Sequence, residues 1–537
     1  MPQQLIADTA ALATGHPLGA AAGLNILRDG GNAIDAAVAA TLALCVVIPG
    51  SVGLGGYGGS AVIYCADRSD PTTTDSGRIV AVDFDSCAPL AFREGLVTAD
   101  LQSNHFGPRA VTVPAVVAGL DLILSEFGAK SWREVSQPAI RLAEEGFEFD
   151  TEHERHFLRC AARFDSKSLN SLFPNGLAPK VGERWRQRDL ARLLHGLCDD
   201  GPAAFYHGEI AAQIVEYLRE RDGILTEEDF RSYSPEVTKP VSLPFRGFEL
   251  YTPLPPSGGV TSLSLVQTME QFLDEEGNSG NNRQSAESIV PRSPRYYHVL
   301  GEAMKLSWRE RHQYLGDPAF VRYPFDSLLT DQAAQARAQI IRTGDIQRGE
   351  DKISDSQHTS NVIAADAKGN LISLTATQGW MYGSHLVVAG LGLVLNHGMS
   401  RFDYSPGHPN APAPGKRMQH NMAPMIALKS GQPAFAYGLP GGPKIVSVTA
   451  QLVLDTIAFQ DSPASAIAVP RVHTQGDEPV LVSQHLPDHI IAELETLGHS
   501  VRREEDMGGP VNVLTIDPHT RKIDIASGES TGAVAGF

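Results

Sequence analysis

From residue 359 onward the chain changes its hydrophobic period. Residues 112–240 carry amphipathic helical runs such as IAAQIVEYLRERD, and residues 16–48 are rich in small, helix-compatible residues. Residues 359–460 switch to period-two strands separated by Gly-rich turns. Helical patterns return near 445–458 and 485–498. Helices first and strands later suit a layered α+β sandwich better than a doubly wound parallel sheet, which alternates strand and helix throughout. With 537 residues, the chain exceeds one simple core and needs a multilayer unit or several domains.

The switch begins in SQHTSNVIAADAKGNLISLTAT, residues 356–377, which reads as a hairpin. An apolar run leads into a turn at Asp366–Asn370, followed by alternating Leu371, Ser373, Thr375 and Thr377. Thr359 stands at the mouth of the first strand. A bare threonine is a poor nucleophile because nothing accepts its proton. If the peptide bond before it is cut, its own α-amine supplies the base, with an ordinary pKa of about 7.7–8.0.

Several classes are disfavoured. The net charge is −18, from 44 basic and 62 acidic residues, which argues against the clustered cations of a nucleic-acid binder. The start, MPQQLIADTAALATGHPLG, shows no basic segment followed by an apolar one, so a cytoplasmic location is expected. The run AAVAATLALCVVI, ended by Pro49, is too short to span a membrane and reads as a buried helix. Cys45, Cys65, Cys87, Cys160 and Cys198 include no CxxC pair and are expected as reduced thiols. No internal repeat is visible. Residues 274–294, rich in Gly, Asn and Ser, read as a surface loop. Thr226 to Asp229 reads as a capped helix start.

Three motif matches lack the context their chemistry needs. GLGGYG, Gly53–Gly58, matches a dinucleotide fingerprint but is followed by the strand pattern SAVIYC, so it is expected as a tight loop packed under a sheet. GESTG, Gly528–Gly532, matches a nucleophile elbow with no room downstream for an acid and a histidine. HERH, His153–His156, lacks the i, i+4 histidine pair of a zinc helix and is expected as a solvated helix face. No metal and no cofactor is expected.

From His16 to the C-terminus the chain resembles the gamma-glutamyltranspeptidase family, through several motifs in one order. These are GHPLGAAAGLNILRDGGNAIDAAVAATLALCVVIPGSVGLGGYGG, GILTEEDFRSY with PLPPSGGV, EAMKLSWRERHQYLGDPAF, HTSNVIAADAKGNLISLTAT, GLGLVLNHGMSRFD, GKRMQHNMAP and GLPGGPKI. The resemblance implies an N-terminal nucleophile hydrolase with a four-layer αββα sandwich. It implies self-cleavage between His358 and Thr359 into a large piece, residues 1–358, and a small one, residues 359–537, which stay together as a heterodimer. It also implies Thr359 as nucleophile, Thr377 as its orienting partner, and the backbone N–H groups of Gly441 and Gly442 as oxyanion donors. The substrate would be a small amide or peptide whose acyl group passes to water or an amine.

The substrate end departs from the family. Its arginine for the α-carboxylate is matched approximately by Arg93. Its aspartate for the α-amine falls on Arg401, with Asp403 two residues on; two serines fall on His420 and Asn421; an asparagine falls on Gly379, beside Gln378. A like-charge contact at 4 Å costs about 1–4 kcal/mol, so Arg401 disfavours an ammonium. An acyl group with a free carboxylate and no amine, of the glutaryl type, fits better. YSPGHPNAPAPGKR has no recognisable aromatic lid, which suggests an open site. Three readings follow: a γ-glutamyl transferase or hydrolase, an acylase for dicarboxylic amides, and an unprocessed binding homologue.

Overall fold

The computed structural model describes residues 2–66, 77–96, 105–273, 289–349, 358–528 and 531–537. Most of the 274–294 loop and the serine of GESTG lie outside these residues.

Two seven-stranded antiparallel sheets form the centre. One runs, in spatial order, Ala533–Gly536, Ala11–Thr14, His358–Ala365, Leu371–Gly379, Gly58–Cys65, Arg78–Asp83 and Glu236–Thr238. It is called here the nucleophile sheet. The opposing sheet runs Gln3–Ala7, Ile523–Ser527, Asn512–Ile516, Gln432–Gly438, Met425–Lys429, Phe248–Thr252 and Val241–Phe245. Both sheets interleave strands from before and after residue 358, so neither half of the chain owns a sheet.

Strand alternation builds the layers. Ala11, Ala13, Val62, Tyr64, Ile363 and Leu371 point between the sheets and meet Ile426, Ala436, Leu514 and Ile525. Their sequence neighbours Leu12, Ile63, Val362 and Ile372 point outward, under the helices Pro17–Arg28, Ala33–Val47 and Val116–Phe127. The helices Gly259–Glu270, Pro294–Tyr314 and Lys444–Val453 cover the opposing sheet. The result is the αββα sandwich.

The run ended by Pro49 is a helix, Ala33–Val47, buried at every residue because sheet and helices enclose it on all sides. The predicted hairpin is present, and Asp366 in its turn also accepts the N–H of Ala33 at 2.9 Å, capping that helix. Thr226 and Asp229 form the expected capping box. None of the five cysteines is in a disulfide. The expectation for HERH is corrected at His153, which points inward. Its Nε2 lies 2.7 Å from Val47 O, and its ring packs on Phe147, Phe149 and Trp185. A buried imidazole is stable there because both nitrogens find partners.

Candidate active site

Thr359 sits at a β-bulge. His358 pairs with Gly379 and Ser360 with Ala376, so Thr377 and Gln378 together oppose Thr359. The bulge turns Thr359 toward Thr377, and their Oγ1 atoms are 3.1 Å apart. Thr377 Oγ1 also accepts the N–H of Gly379 at 2.9 Å. Thr359 itself remains half-buried.

The glycine run Gly53–Gly58 explains the decoy motif. A Cβ on Gly56 would lie 2.5 Å from Thr377 O, and one on Gly58 would strike the backbone of Phe84. Only glycine lets this loop lie flat against the nucleophile sheet. The loop delivers Tyr57, whose hydroxyl hydrogen-bonds the Thr377 side chain. Burial pushes the Tyr57 hydroxyl up to about 12, while Arg401 pulls it down and Asp85 raises it. Arg401 and Asp85 therefore both act on a ring that touches the partner of Thr359.

Arg401 is set by the loop Asn396–Arg401. The Asn396 carboxamide accepts from Thr112 N and Gly398 N and donates to Gly55 O and Thr112 O, all near 3.0 Å. His397 Nε2 accepts the N–H of Trp380, and its Nδ1 faces His105 O at 3.1 Å. Burial, reinforced by Arg401, pushes His397 down to about 3, so the ring is neutral. A Cβ on Gly379 would collide with this imidazole. An asparagine at 379 is thus excluded by His397 at 397.

His420 is buried at 1% exposure and touches Asp85 at 3%. Burial pushes His420 down to about 3 and Asp85 up to about 8, so both favour their neutral forms. Asp83 is also raised, to about 7, by burial and Asp85, although Arg417 pairs with it. Arg417 divides itself between Asp83 and Glu236, the latter at 2.9 Å. Asn421 Oδ1 accepts from Arg311, 3.4 Å away. Burial lowers Arg311 to about 9, helped by Arg401.

Six further sequence candidates have these places. Arg93 is exposed on the turn ending at Leu96, and among the described residues no bond ties it to this cluster. Asp403 accepts Ser405 N at 2.9 Å and faces His408 Nε2 at 3.5 Å. Gln378 alternates away from Thr377, and its Nε2 donates to Val394 O at 2.8 Å on the sheet's outer face. His358 contributes its backbone to the strand. Gly441 and Gly442, with φ of 132° and 58°, form the turn from strand Gln432–Gly438 into helix Lys444–Val453.

Sequence reasoning missed Tyr57, Asp85, His397 and an aromatic cluster. Arg163 stacks on Trp380 and Phe106, 4.4 and 4.6 Å from their centroids, and Phe106 packs on His385 and His397. Trp380 directly follows Gly379, so the cluster borders the bulge. Only one group among the described residues has metal-ligand spacing, Glu302–Glu478–His499, and the Lys305 ammonium bonds both of its carboxylates. No described helix is long and apolar enough to cross a membrane.

A family profile described as Gamma-glutamyltranspeptidase matches residues 19–535. The Acylase ACY 1 proenzyme of Pseudomonas sp. (strain SE83) is 33% identical over 514 residues, covering 94% of this chain and 89% of that one. A Glutathione hydrolase proenzyme of Escherichia coli (strain K12) is 30% identical over 529 residues, covering 92% and 86%. Among solved structures, the cephalosporin acylase from Bacillus halodurans superposes with a TM-score of 0.87 at 28% identity, covering 100% of this chain and 97% of that one.

Proposed function

Since this chain belongs to the gamma-glutamyltranspeptidase family and is a hydrolase of the N-terminal nucleophile class, we propose that it is an autoprocessing threonine acylase that cleaves amides of carboxylate-bearing acyl groups. The observation that carries the reading is the bulge that sets Thr359 Oγ1 3.1 Å from Thr377 Oγ1, which also bonds Tyr57, a ring on which the Arg401 charge acts.

Processing begins with attack of Thr359 Oγ1 on the His358 carbonyl. The peptide bond becomes an ester, and water then cleaves it, leaving a His358 carboxylate and a free Thr359 amine. That amine is the base for every later turnover. Thr359 Oγ1 attacks the substrate amide and its proton passes to the amine. The N–H groups of Gly441 and Gly442 stabilise the oxyanion, each worth about 3–4 kcal/mol if it acts like a typical donor. The protonated amine then gives its proton to the leaving nitrogen, and water releases the acid. Residues 1–358 and 359–537 remain a heterodimer.

The family's γ-glutamyl substrate would bring an ammonium toward Arg401. A glutaryl-type acyl end instead brings only its carboxylate, which an arginine holds well. The two relatives named as acylases are in keeping with this choice. The aromatic cluster at Trp380 offers an apolar surface for a bulky leaving group.

The test is a paired assay of glutaryl and L-γ-glutamyl p-nitroanilides on wild type and Arg401→Asp. Wild type should favour glutaryl in kcat/KM, and the variant should move that ratio at least about tenfold toward γ-glutamyl, the equivalent of about 1.4 kcal/mol. A wild type that favours γ-glutamyl, with a ratio unmoved by the variant, contradicts the assignment.

A further inference from the structure

The inward face of the nucleophile strand is apolar at Ile363 and Ala365 and then turns polar at Asn361, two residues from Thr359. Asn361 is 1% exposed. Its Nδ2 donates to Leu374 O and Thr375 Oγ1, both at 3.0 Å, within its own sheet. Its backbone O and Oδ1 accept from Asn512 Nδ2, at 3.3 and 3.2 Å, across the gap to the opposing sheet. Asn512 is in turn held by the Ser527 hydroxyl at 2.7 Å.

The same contact reaches the glycine turn. Asn512 pairs in register with Gly438, and a Cβ on Gly438 would collide with the Asn361 carboxamide. Gly438 ends the strand that leads, three residues later, into Gly441 and Gly442. Ser373, on the neighbouring strand, donates to Tyr437 O at 2.8 Å, a second tie between the sheets at this level. Sandwiched sheets normally meet through side chains about 10 Å apart in mean plane, and an apolar contact there fixes no exact spacing. A directional, fully bonded amide does.

We infer that Asn361 is a positioning residue, which holds the Thr359 strand and the Gly441–Gly442 turn at one fixed separation through Asn512 and Gly438. This rests on the roles proposed above for Thr359 and the two glycines. Misplacement of reacting groups by about 1 Å can cost about 100-fold in rate. Arg401, proposed above to hold the acyl carboxylate, belongs to another segment, so binding should be spared.

The experiment compares Asn361→Ser, Asn512→Ser and the double variant with Gln451→Ala. Gln451 is a buried amide in the helical layer, bonded to Ser447 O and Val472 O, and serves as a control for general destabilisation. Each is assayed on glutaryl p-nitroanilide, with the processed fraction measured by denatured mass and kcat expressed per processed enzyme. The expected result is a kcat loss of about 10- to 100-fold in either single variant with KM within twofold, and no further loss in the double variant. A loss no larger than in Gln451→Ala at matched melting temperature, a proportional rise in KM, or multiplying losses in the double variant overturns the inference. If wild type carries no activity that depends on Thr359, the underlying assignment fails instead, and that arm is read separately.

Discussion

At the scale of single residues, the site is a set of exchanges between charge and burial. Thr377 has one hydroxyl shared among Thr359, Tyr57 and the Gly379 N–H. Thr377→Val keeps the shape and removes the hydroxyl, so kcat should fall about 10²-fold or more while the fold persists; steady-state kinetics with a melting curve checks this. Asp85 is legible in a different assay. Its folded pKa, raised to about 8 by burial, lies above the ordinary value of 3.8. The folded state therefore holds the proton more tightly, and the associated stability is present at low pH and lost as pH rises from about 4 through 8. Asp85→Asn removes this loss, so the melting temperature of the variant relative to wild type should climb between pH 5 and pH 8.5. A difference that stays flat over that range would show that Asp85 is ionised in the folded enzyme.

At the scale of elements, backbone conformation places the groups that side chains cannot. Gly441, at φ 132°, presents its α-carbon so close to Gly508 that a Cβ would lie 2.7 Å from the Gly508 Cα. Gly441→Ala must shift one of the two backbones, and the expected outcome is a kcat loss of about 10²–10³-fold with retained secondary structure, measured by kinetics beside circular dichroism. Much of this element level was readable beforehand. The hairpin at 358–379, the buried helix before Pro49 and the capping box at Thr226 followed from period, length and local hydrogen-bonding chemistry. What escaped was long-range. Asp85 is one acidic residue in DFDS until the loop at 420 brings His420 onto it. Tyr57 is one ring in a glycine run until that run is pressed against Thr377. Gln378 is a candidate because it adjoins Gly379, where the family's asparagine falls, but strand alternation sends its side chain away from Thr377 to Val394 O. Arg93 matches the family's arginine only by loose spacing, which carries no direction. Period two is plain in Leu371, Ser373, Thr375 and Thr377 but not in Gly58–Cys65 or the start of the hairpin, where Val62, Ile63, Val362 and Ile363 are apolar on both faces of a sheet enclosed on both sides.

At the scale of the whole molecule, the interleaving of the sheets decides what cleavage can do. Strand His358–Ala365 pairs with Ala11–Thr14 on one side and Leu371–Gly379 on the other, and every sheet neighbour of the 11–14 strand comes from beyond residue 357. Cutting before Thr359 breaks one bond and leaves both sheets whole. The two pieces should therefore migrate as one particle in native size exclusion and separate only under denaturing conditions. The central claim, that Thr359 becomes an N-terminus, is tested most directly by the denatured mass of the purified protein beside Thr359→Ala. The account predicts wild-type pieces of 358 and 179 residues, the second beginning at Thr359, and a variant that stays whole at 537 residues. A folded wild type that remains a single chain would contradict it, because the amine that serves as base would not exist.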